Sequence, residues 1–130
     1  MPLVDGLGGV LLYTSGPAFA AMRTFYIDGL GLTPRSDRPG FVNFELGGQR
    51  LTVAVHSELS CPNEDPLHVM VNLVTSDATA AWEVLLSHGA RAVRPPSREP
   101  WGGLVATVAD PDGNIVQLLQ LPSPAVDAGE

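Results

Sequence analysis

One short stretch near the end of the chain restricts the fold more than any other: residues 108–118 predict two strands joined by a tight turn. Pro111 fixes φ as a turn requires, and Asp112-Gly113-Asn114 supplies residues that tolerate positive φ. Apolar runs flank the turn on both sides, which is typical of a β-hairpin. The chain is therefore predicted to contain an antiparallel pair of strands near its carboxyl end.

The same arrangement of elements is predicted twice along the chain. Thr14-Ser15 precedes a first apolar helical stripe and Thr75-Ser76 precedes a second, which gives an offset of 61 residues. The turn Gly47-Gly48 matches Asp112-Gly113 with an offset of 65 residues. Each copy is predicted to be a strand, a helix and three strands. The two copies must pack together, because neither could bury both faces of its own sheet.

The first module is assigned to residues 8–56. Gly16 and Pro17 are suited to the start of a helix, and glycines end it. The predicted elements are a strand at Gly9–Thr14, a helix from Pro17 that ends at Gly29 and Gly31, a short strand at Leu32–Arg35, a polar loop at Ser36–Gly40, and strands at Phe41–Leu46 and Leu51–Val55 around the turn Gly47-Gly48.

The second module is assigned to residues 68–121, and Asp77 is a good N-cap for its helix. The predicted elements are a strand at His68–Thr75, a helix from Asp77 to Gly89, a short strand at Arg91–Arg94, a loop that starts at Pro95-Pro96, and a strand at Leu104–Ala109 that enters the hairpin. A linker at residues 57–67 joins the modules within one domain, and residues 122–130 are predicted to be a disordered tail.

Composition limits the class of protein. With 130 residues the chain is long enough to bury a core, and a hydrophobic content of 45% against 16% charged residues is compatible with a buried dimer face. Seven basic and 14 acidic residues give a net charge of −7. Nucleic acids and anionic membranes need a positively charged surface, so neither is an expected partner.

Cysteine content and hydropathy bear on localisation. The single Cys61 cannot form an internal disulfide, so nothing indicates secretion. The apolar run Val10-Leu11-Leu12-Tyr13 is too short for a signal peptide, and no run approaches the roughly 20 apolar residues of a membrane span. We predict a cytoplasmic protein.

The hairpin also carries a family resemblance. Asp110-Pro111-Asp112-Gly113-Asn114 followed by an apolar strand resembles the closing hairpin of the vicinal oxygen chelate superfamily, which includes glyoxalase I, the bleomycin-resistance proteins and the extradiol dioxygenases. The resemblance covers residues 8–121. It implies an α+β fold in which two βαβββ modules form a curved mixed sheet with a cleft, and it implies a homodimer.

The resemblance implies positions for metal ligands, because metal-dependent members use His or Glu from the first and last strands of each module. Matched through the helix and hairpin anchors, these positions are Gly9, Thr52, Met70 and Gln117. The repeat offsets pair Gly9 with Met70 and Thr52 with Gln117. None is a normal ligand for such an ion. The resemblance therefore implies no cofactor, as in members that sequester an antibiotic without a metal.

We accordingly expect a small-molecule-binding protein whose ligand is an antibiotic or a planar metabolite. Uncharged polar side chains on a cleft wall would orient the ligand, although the amides could instead bond to the backbone or to buried water. Trp101, in a loop with glycine and proline, would either stack on a planar ligand or plug the sheet. The candidate ligand-binding residues are Asn43, Thr52, His56, Met70, Asn72, Trp101 and Gln117.

An alternative hypothesis is a metal-dependent lyase, isomerase or dioxygenase. His56 shares strand parity with Thr52, and His68 shares it with Met70, so both imidazoles could face a cleft. With a carboxylate from Glu58 or Glu99 they would form a divalent metal site or an acid–base pair. The competing interpretation is that His56 ends one strand and His68 begins another, both near solvent.

Overall fold

The computed structural model describes residues 2–122, so the predicted tail at 122–130 lies outside the described residues except for Pro122. Two compact units make up the chain: the first ends at Pro62 and the second begins at Asn63, within the predicted linker at 57–67. Each unit contains one four-stranded mixed sheet with helical segments, in the predicted order of strand, helix and three strands. The predicted α+β class is confirmed. In residues 2–122, no helix has the length and hydrophobicity needed to cross a membrane.

The first unit forms a sheet in the order β1-β4-β3-β2, in which β1 is parallel to β4 and the other pairs are antiparallel. Its elements are β1 (Gly9–Thr14), α1 (Phe19–Thr24), a π-helical turn (Phe25–Gly29), β2 (Ser36–Arg38), β3 (Phe41–Leu46) and β4 (Gln49–Val55). Gly47 and Gly48 both have positive φ, 55° and 84°, so they form the predicted two-residue turn between β3 and β4.

The core of the first unit lies between its sheet and its helical segments. Met22, Phe25 and Tyr26 are buried from the helical side, and alternate residues of β3 and β4, including Phe44, are buried from the sheet. The helix begins later than predicted: Gly16 and Pro17 lie in a turn before Phe19, where the Ala18 N–H donates to the Ser15 hydroxyl at 3.2 Å. A serine side chain, rather than Gly16, therefore satisfies this donor.

The short strand predicted at Leu32–Arg35 is wrong, because β2 occupies Ser36–Arg38, where a polar loop was expected. Two hydrogen bonds explain the shift: the Arg35 N–H donates to the Asn43 carbonyl at 2.8 Å, and the Ser36 N–H donates to the Asn43 side-chain oxygen at 3.1 Å. Pairing with β3 therefore defines this polar edge strand, and hydrophobic periodicity cannot detect such a strand.

An ion pair connects α1 to the edge strand. The Arg23 guanidinium binds the Asp37 carboxylate through two nitrogens, with Nε donating to Oδ1 at 3.1 Å and Nη2 to Oδ2. These side-chain hydrogen bonds hold the pKa of Asp37 below its ordinary value. The pair bridges α1 and β2, and an exposed pair of this kind contributes little to stability.

The second unit repeats this topology with the sheet order β5-β8-β7-β6, in which β5 is parallel to β8. Its elements are a 3₁₀ turn (Pro66–His68), β5 (Met70–Val74), α2 (Ala78–Ser87), β6 (Arg91–Arg98), β7 (Leu104–Ala109) and β8 (Ile115–Gln120). The N-cap prediction is confirmed, because the Asp77 carboxylate accepts a hydrogen bond from the Ala80 N–H at 3.0 Å. Ala78 and Leu85 of α2 are fully buried.

Two predicted boundaries in the second unit are wrong. His68 does not begin a strand, because it ends the 3₁₀ turn and β5 starts at Met70. Pro95-Pro96 does not start a loop, because β6 runs from Arg91 to Arg98 with two shifts of register against β7. Since β6 lies at the edge of its sheet, prolines and irregular pairing are tolerated there.

The hairpin between β7 and β8 depends on one buried carboxylate. Oδ1 of Asp110 accepts from the backbone N–H groups of Asp112 and Asn114 at 2.9 and 3.0 Å. The Asn114 amide also donates to both carboxylate oxygens, at 3.2 Å to Oδ1 and 2.9 Å to Oδ2. Of the three turn residues that tolerate positive φ, only Gly113 adopts it. The aspartate side chain thus adds to the backbone hydrogen bonds of the turn, in which the Gly113 N–H donates to the Asp110 carbonyl and the Asp110 N–H to the Asn114 carbonyl, both at 2.9 Å.

The internal repeat is confirmed by the strand register. In the first unit Leu11 is the partner of Thr52, and in the second unit Asn72 is the partner of Gln117. Partners are 52 − 11 = 41 residues apart in the first unit and 117 − 72 = 45 in the second, and this difference of 4 equals the difference between the predicted offsets of 61 and 65. The two sheets therefore carry equivalent positions that can be compared residue by residue.

Candidate functional site

Each sheet has a face opposite its helix, which we call the distal face. In the first unit it is defined by Gly9, Leu11 and Tyr13 of β1 together with the residues of β4 and β3 that are in register with them. In the second it is defined by Met70, Asn72 and Val74 of β5 with Ile115, Gln117 and Leu119 of β8. Alternation along a strand places these side chains on one side of the sheet.

The four positions that the family resemblance assigns to metal ligands all lie on distal faces. Thr52 on β4 is the partner of Leu11, which is two residues from Gly9 on β1. In the same way, Gln117 on β8 is the partner of Asn72, which is two residues from Met70 on β5. Their donor set is one hydroxyl, one thioether and one amide, with no side chain at Gly9. This set does not fit a hard or borderline divalent ion, which prefers imidazole or carboxylate.

The backbone adds a second obstacle at Gly9. Its φ is +152°, and a Cβ at this position would lie 2.0 Å from the Arg50 carbonyl oxygen. Because the obstructing atom belongs to the neighbouring strand, a side chain at residue 9 requires β1 to move. Position 9 therefore cannot hold a ligand residue in this register.

His56 follows the last residue of β4 and has two local contacts. Its ring meets the Tyr13 ring edge-on, with centroids 5.0 Å apart and planes at 87°. Its Nδ1 accepts a hydrogen bond from the Glu58 N–H at 3.1 Å. The proton of the neutral imidazole therefore resides on Nε2, which makes this nitrogen a donor.

This protonation pattern disfavours a metal at His56. A histidine that binds a metal through Nε2 normally donates a hydrogen bond from Nδ1 to an acceptor. Here Nδ1 is itself an acceptor, so metal binding would require the Glu58 hydrogen bond to break. The ring instead offers a donor at the end of the distal face.

The other members of the alternative site have local partners. His68 Nδ1 lies 3.3 Å from an Asp65 carboxylate oxygen, and both side chains are exposed. Glu99 accepts from the Arg94 guanidinium at 2.6 Å. Within residues 2–122, no three His, Cys, Asp or Glu side chains are grouped so that they could hold a metal ion.

The amides of the two units behave differently. In the first unit Asn43 is buried beside its partner Thr52, and its side-chain oxygen binds the Ser36 backbone. In the second unit Gln117 Nε2 donates to Asn72 Oδ1 at 2.9 Å, so the two amides bind each other. Asn43 therefore has a backbone partner, whereas Asn72 and Gln117 form a side-chain pair on the distal face.

Trp101 lies in the turn between β6 and β7. The Gly102 N–H donates to the Glu99 carbonyl at 2.9 Å, and the Glu99 N–H donates to the Gly103 carbonyl at 2.8 Å. A Cβ on Gly103 would lie 2.0 Å from the indole, so the ring rests directly against this glycine. The side chain keeps 52% of its surface exposed, so it is not a buried plug.

Sequence reasoning missed two features of the distal faces. Tyr13 was assigned only to an apolar strand, although its parity with Leu11 places it on the distal face beside His56. Arg94 and Thr107 were not candidates either, yet they are partners in the row that includes Gln117. Strand alternation alone could have placed Tyr13 on the distal face. The position of Arg94 depends on a register shift in β6, which no sequence pattern predicts.

Solved structures share this architecture. A glyoxalase-related enzyme from Fulvimarina pelagi matches with a TM-score of 0.74 and 21% identity, over 91% of this chain and 89% of that one. A glyoxalase/bleomycin resistance protein/dioxygenase family enzyme from Burkholderia phytofirmans matches with a TM-score of 0.71 and 18% identity, over 89% of this chain and 98% of that one. A lactoylglutathione lyase from Agrobacterium tumefaciens matches with a TM-score of 0.65 and 20% identity, over 90% and 94%. At these identities the likeness shows the fold alone.

Family membership follows from a match at the level of sequence. Among curated proteins, no sequence gives a significant match. A model of the glyoxalase/bleomycin resistance protein/dioxygenase superfamily, however, matches residues 15–118, which include both helices and most of both sheets. The chain therefore belongs to the glyoxalase/bleomycin resistance protein/dioxygenase superfamily.

Proposed function

We propose that this protein binds and sequesters a small molecule, an antibiotic or a planar metabolite, without a divalent metal at the positions where its family places metal ligands. The observation that carries the proposal is the donor set at those positions, Gly9, Thr52, Met70 and Gln117. It offers no imidazole and no carboxylate, and the backbone of Gly9 leaves no room for either.

The distal face of the second sheet supports the binding part of the proposal. Met70 and Val74 are large apolar side chains with 47% and 70% of their surface exposed, on either side of Asn72. Small-molecule sites combine apolar walls with a few placed polar groups. An exposed apolar surface around one amide pair has that composition.

A metal-dependent lyase, isomerase or dioxygenase around His56 and His68 has less support. The hydrogen bond from the Glu58 N–H to Nδ1 leaves His56 in the wrong tautomer for coordination through Nε2. His68 is exposed, and in the part of the chain that the structure describes it belongs to no group of three His, Cys, Asp or Glu side chains that could hold a metal ion. We therefore infer that His56 contributes a hydrogen-bond donor to the ligand.

A homodimer and a cytoplasmic location belong to the same proposal. Leu11 and Tyr13 lie on β1, an edge strand of its sheet, and each has nearly half of its surface exposed. Contiguous apolar surface of this kind is typical of an interaction site. The low charged content, 16%, is also in keeping with a protein that covers part of its surface with a second copy.

Replacement of Trp101 tests the proposal through ligand affinity. Stacking of aromatic rings contributes about 0.5–1.5 kcal/mol beyond area burial, and loss of the indole also removes apolar contact area. We expect Trp101→Ala to weaken binding of a planar antibiotic by roughly ten-fold or more, since 1.4 kcal/mol is about one decade. Calorimetric titration with anthracycline and quinolone antibiotics measures the effect.

Trp101→Phe is the matched control, because it keeps a flat ring in the same turn and should retain most of the affinity. Thermal melting should show that both variants remain folded, since the indole is half exposed. An alanine variant that binds normally but melts far below the parent protein would make Trp101 a structural residue and would contradict the prediction.

A further inference from the structure

We infer that the ligand is recognised through an uncharged edge that carries a hydrogen-bond donor beside an acceptor, as in a lactam or an imide, and that Asn72 and Gln117 bind this edge. The inference rests on the proposed function, since it names the chemical class of the molecule that the protein would bind.

The first observation is a polar row that crosses the whole second sheet. Arg94 of β6 is the partner of Thr107 in β7, Thr107 is the partner of Gln117 in β8, and Gln117 is the partner of Asn72 in β5. Partners in adjacent strands lie on the same side of a sheet. Four polar side chains are thus in one line on the distal face, of which Thr107 is buried and Asn72, Gln117 and Arg94 reach the surface.

The second observation is that apolar rows lie on both sides of the polar row. One contains Val74, Leu119 and Val105, and the other contains Met70, Ile115 and Ala109. Val105, Ile115 and Ala109 are buried, so the apolar surface open to a ligand is formed by Val74, Leu119 and Met70. A polar row on an ordinary solvated face would have other polar side chains as neighbours. A polar line between two apolar ones instead suits a flat molecule with apolar surfaces and a polar edge.

The third observation is the hydrogen bond between the two amides. Gln117 Nε2 donates to Asn72 Oδ1 at 2.9 Å, which uses one N–H and one carbonyl lone pair. The free groups that remain include the Gln117 carbonyl and the Asn72 N–H₂. If the nitrogen and oxygen are exchanged in both amides, Asn72 donates to Gln117 instead. The free groups then include the Asn72 carbonyl and the Gln117 N–H₂, which are again one acceptor and one donor. The pair therefore presents a mixed donor–acceptor edge in either orientation.

Charge in the row is already neutralised. The Arg94 guanidinium donates to Glu99 at 2.6 Å, so it is engaged by a carboxylate of this protein. A ligand carboxylate offers acceptors only, and would leave the carbonyl of an amide without a donor. A lactam or imide satisfies both groups at once, because its N–H and its carbonyl are adjacent in one plane.

The first sheet shows why the second is assigned this role. At the equivalent row, Leu11 and Thr52 stand where the second sheet has Asn72 and Gln117. The amide of that row, Asn43, is buried on the next strand, and its oxygen accepts from the Ser36 N–H. That row therefore has no exposed amide pair. The two units share a register, but only the second presents this donor–acceptor edge.

Three planar probes with the same ring system test the inference by calorimetric titration. Phenanthridinone carries a lactam, N-methylphenanthridinone has the same shape with the donor blocked, and phenanthrene carboxylate carries acceptors only. The parent protein should bind phenanthridinone at least about ten-fold more tightly than either of the others. Gln117→Met, which keeps the length of the side chain, should bring the three affinities together.

Gln49→Met makes the same chemical change at an exposed position outside the row and should keep the preference. Asn72→Leu is the second test of the pair, because Asn72 is exposed and its loss should not unfold the sheet. Equal binding of all three probes, or a preference that survives in both row variants, would overturn the inference and leave the binding function standing. Failure of all three probes to bind would overturn the inference together with its planar-ligand premise.

Discussion

Phe44→Ala is expected to lower the free energy of unfolding by about 3–5 kcal/mol, the usual cost of deleting a buried phenylalanine ring. The Phe44 side chain is 1% exposed and lies on the same face of β3 as Val42, opposite Leu51 of β4. No tryptophan lies in this unit, so urea denaturation should be followed by far-UV circular dichroism. The transition midpoint should fall without a change in slope.

Phe41→Ala provides a matched control on the same strand. Phe41 has the opposite parity, keeps part of its surface exposed, and lies under the Arg38 guanidinium with 3.9 Å between Cζ and the ring centroid. Deleting this ring should cost only about 1 kcal/mol, the value of an exposed cation–π contact. Equal losses for the two variants would mean that the helix-side and distal faces have been assigned wrongly.

Asp110→Ala is expected to destabilise the second unit by about 2–4 kcal/mol, because it leaves several hydrogen-bond donors of the hairpin without an acceptor. The carboxylate is 4% exposed and accepts from two backbone N–H groups and from the Asn114 amide. Trp82 and Trp101 both lie in this unit, so their fluorescence reports the transition.

Asp110→Asn separates the charge of this carboxylate from its geometry. Its carbonyl oxygen can still accept from the N–H groups of Asp112 and Asn114, but the charge is lost, and hydrogen bonds to an ionised acceptor are roughly twice as strong as neutral ones. We expect about half of the loss seen for alanine. An alanine variant within about 0.5 kcal/mol of the parent protein would show that the hairpin does not depend on this carboxylate.

Much of the fold could be predicted from sequence where hydrophobic pattern and turn chemistry agree. β1, β3 and β7 have the predicted boundaries, because apolar runs are bounded by turn residues such as Gly47-Gly48. The difference between the two repeat offsets is reproduced in the strand register, since two anchors per module were enough to align the modules.

The remaining boundaries depend on tertiary contacts that leave no local pattern. β2 is defined by two hydrogen bonds to Asn43, one of them from its side chain. β6 continues through Pro95-Pro96 only because an edge strand tolerates shifts of register. Glu45 and Arg50 are cross-strand partners beside the turn, but the ion pair of Glu45 is with Arg35 at 3.7 Å, which strand pairing alone does not indicate.

The candidate site was predictable as a set of positions but not as a set of bonds. Strand alternation is enough to put Asn72 on the same face as Met70, and the two-residue turn Gly47-Gly48 is enough to put Thr52 opposite Asn43. Which partner each polar group takes depends on distances of a few tenths of an ångström. The backbone bond of Asn43, the amide pair of Asn72 and the acceptor role of His56 Nδ1 were therefore accessible only from the structure.

The metal content of untagged protein, purified without added metal, tests whether the protein binds its ligand without a divalent ion. Inductively coupled plasma mass spectrometry should find nickel, zinc, iron and manganese far below one equivalent per chain, and treatment with a chelator should leave antibiotic binding unchanged. One tightly held equivalent of any of these metals, coordinated around Gly9, Thr52, Met70 and Gln117 or around His56 and His68, would contradict the account.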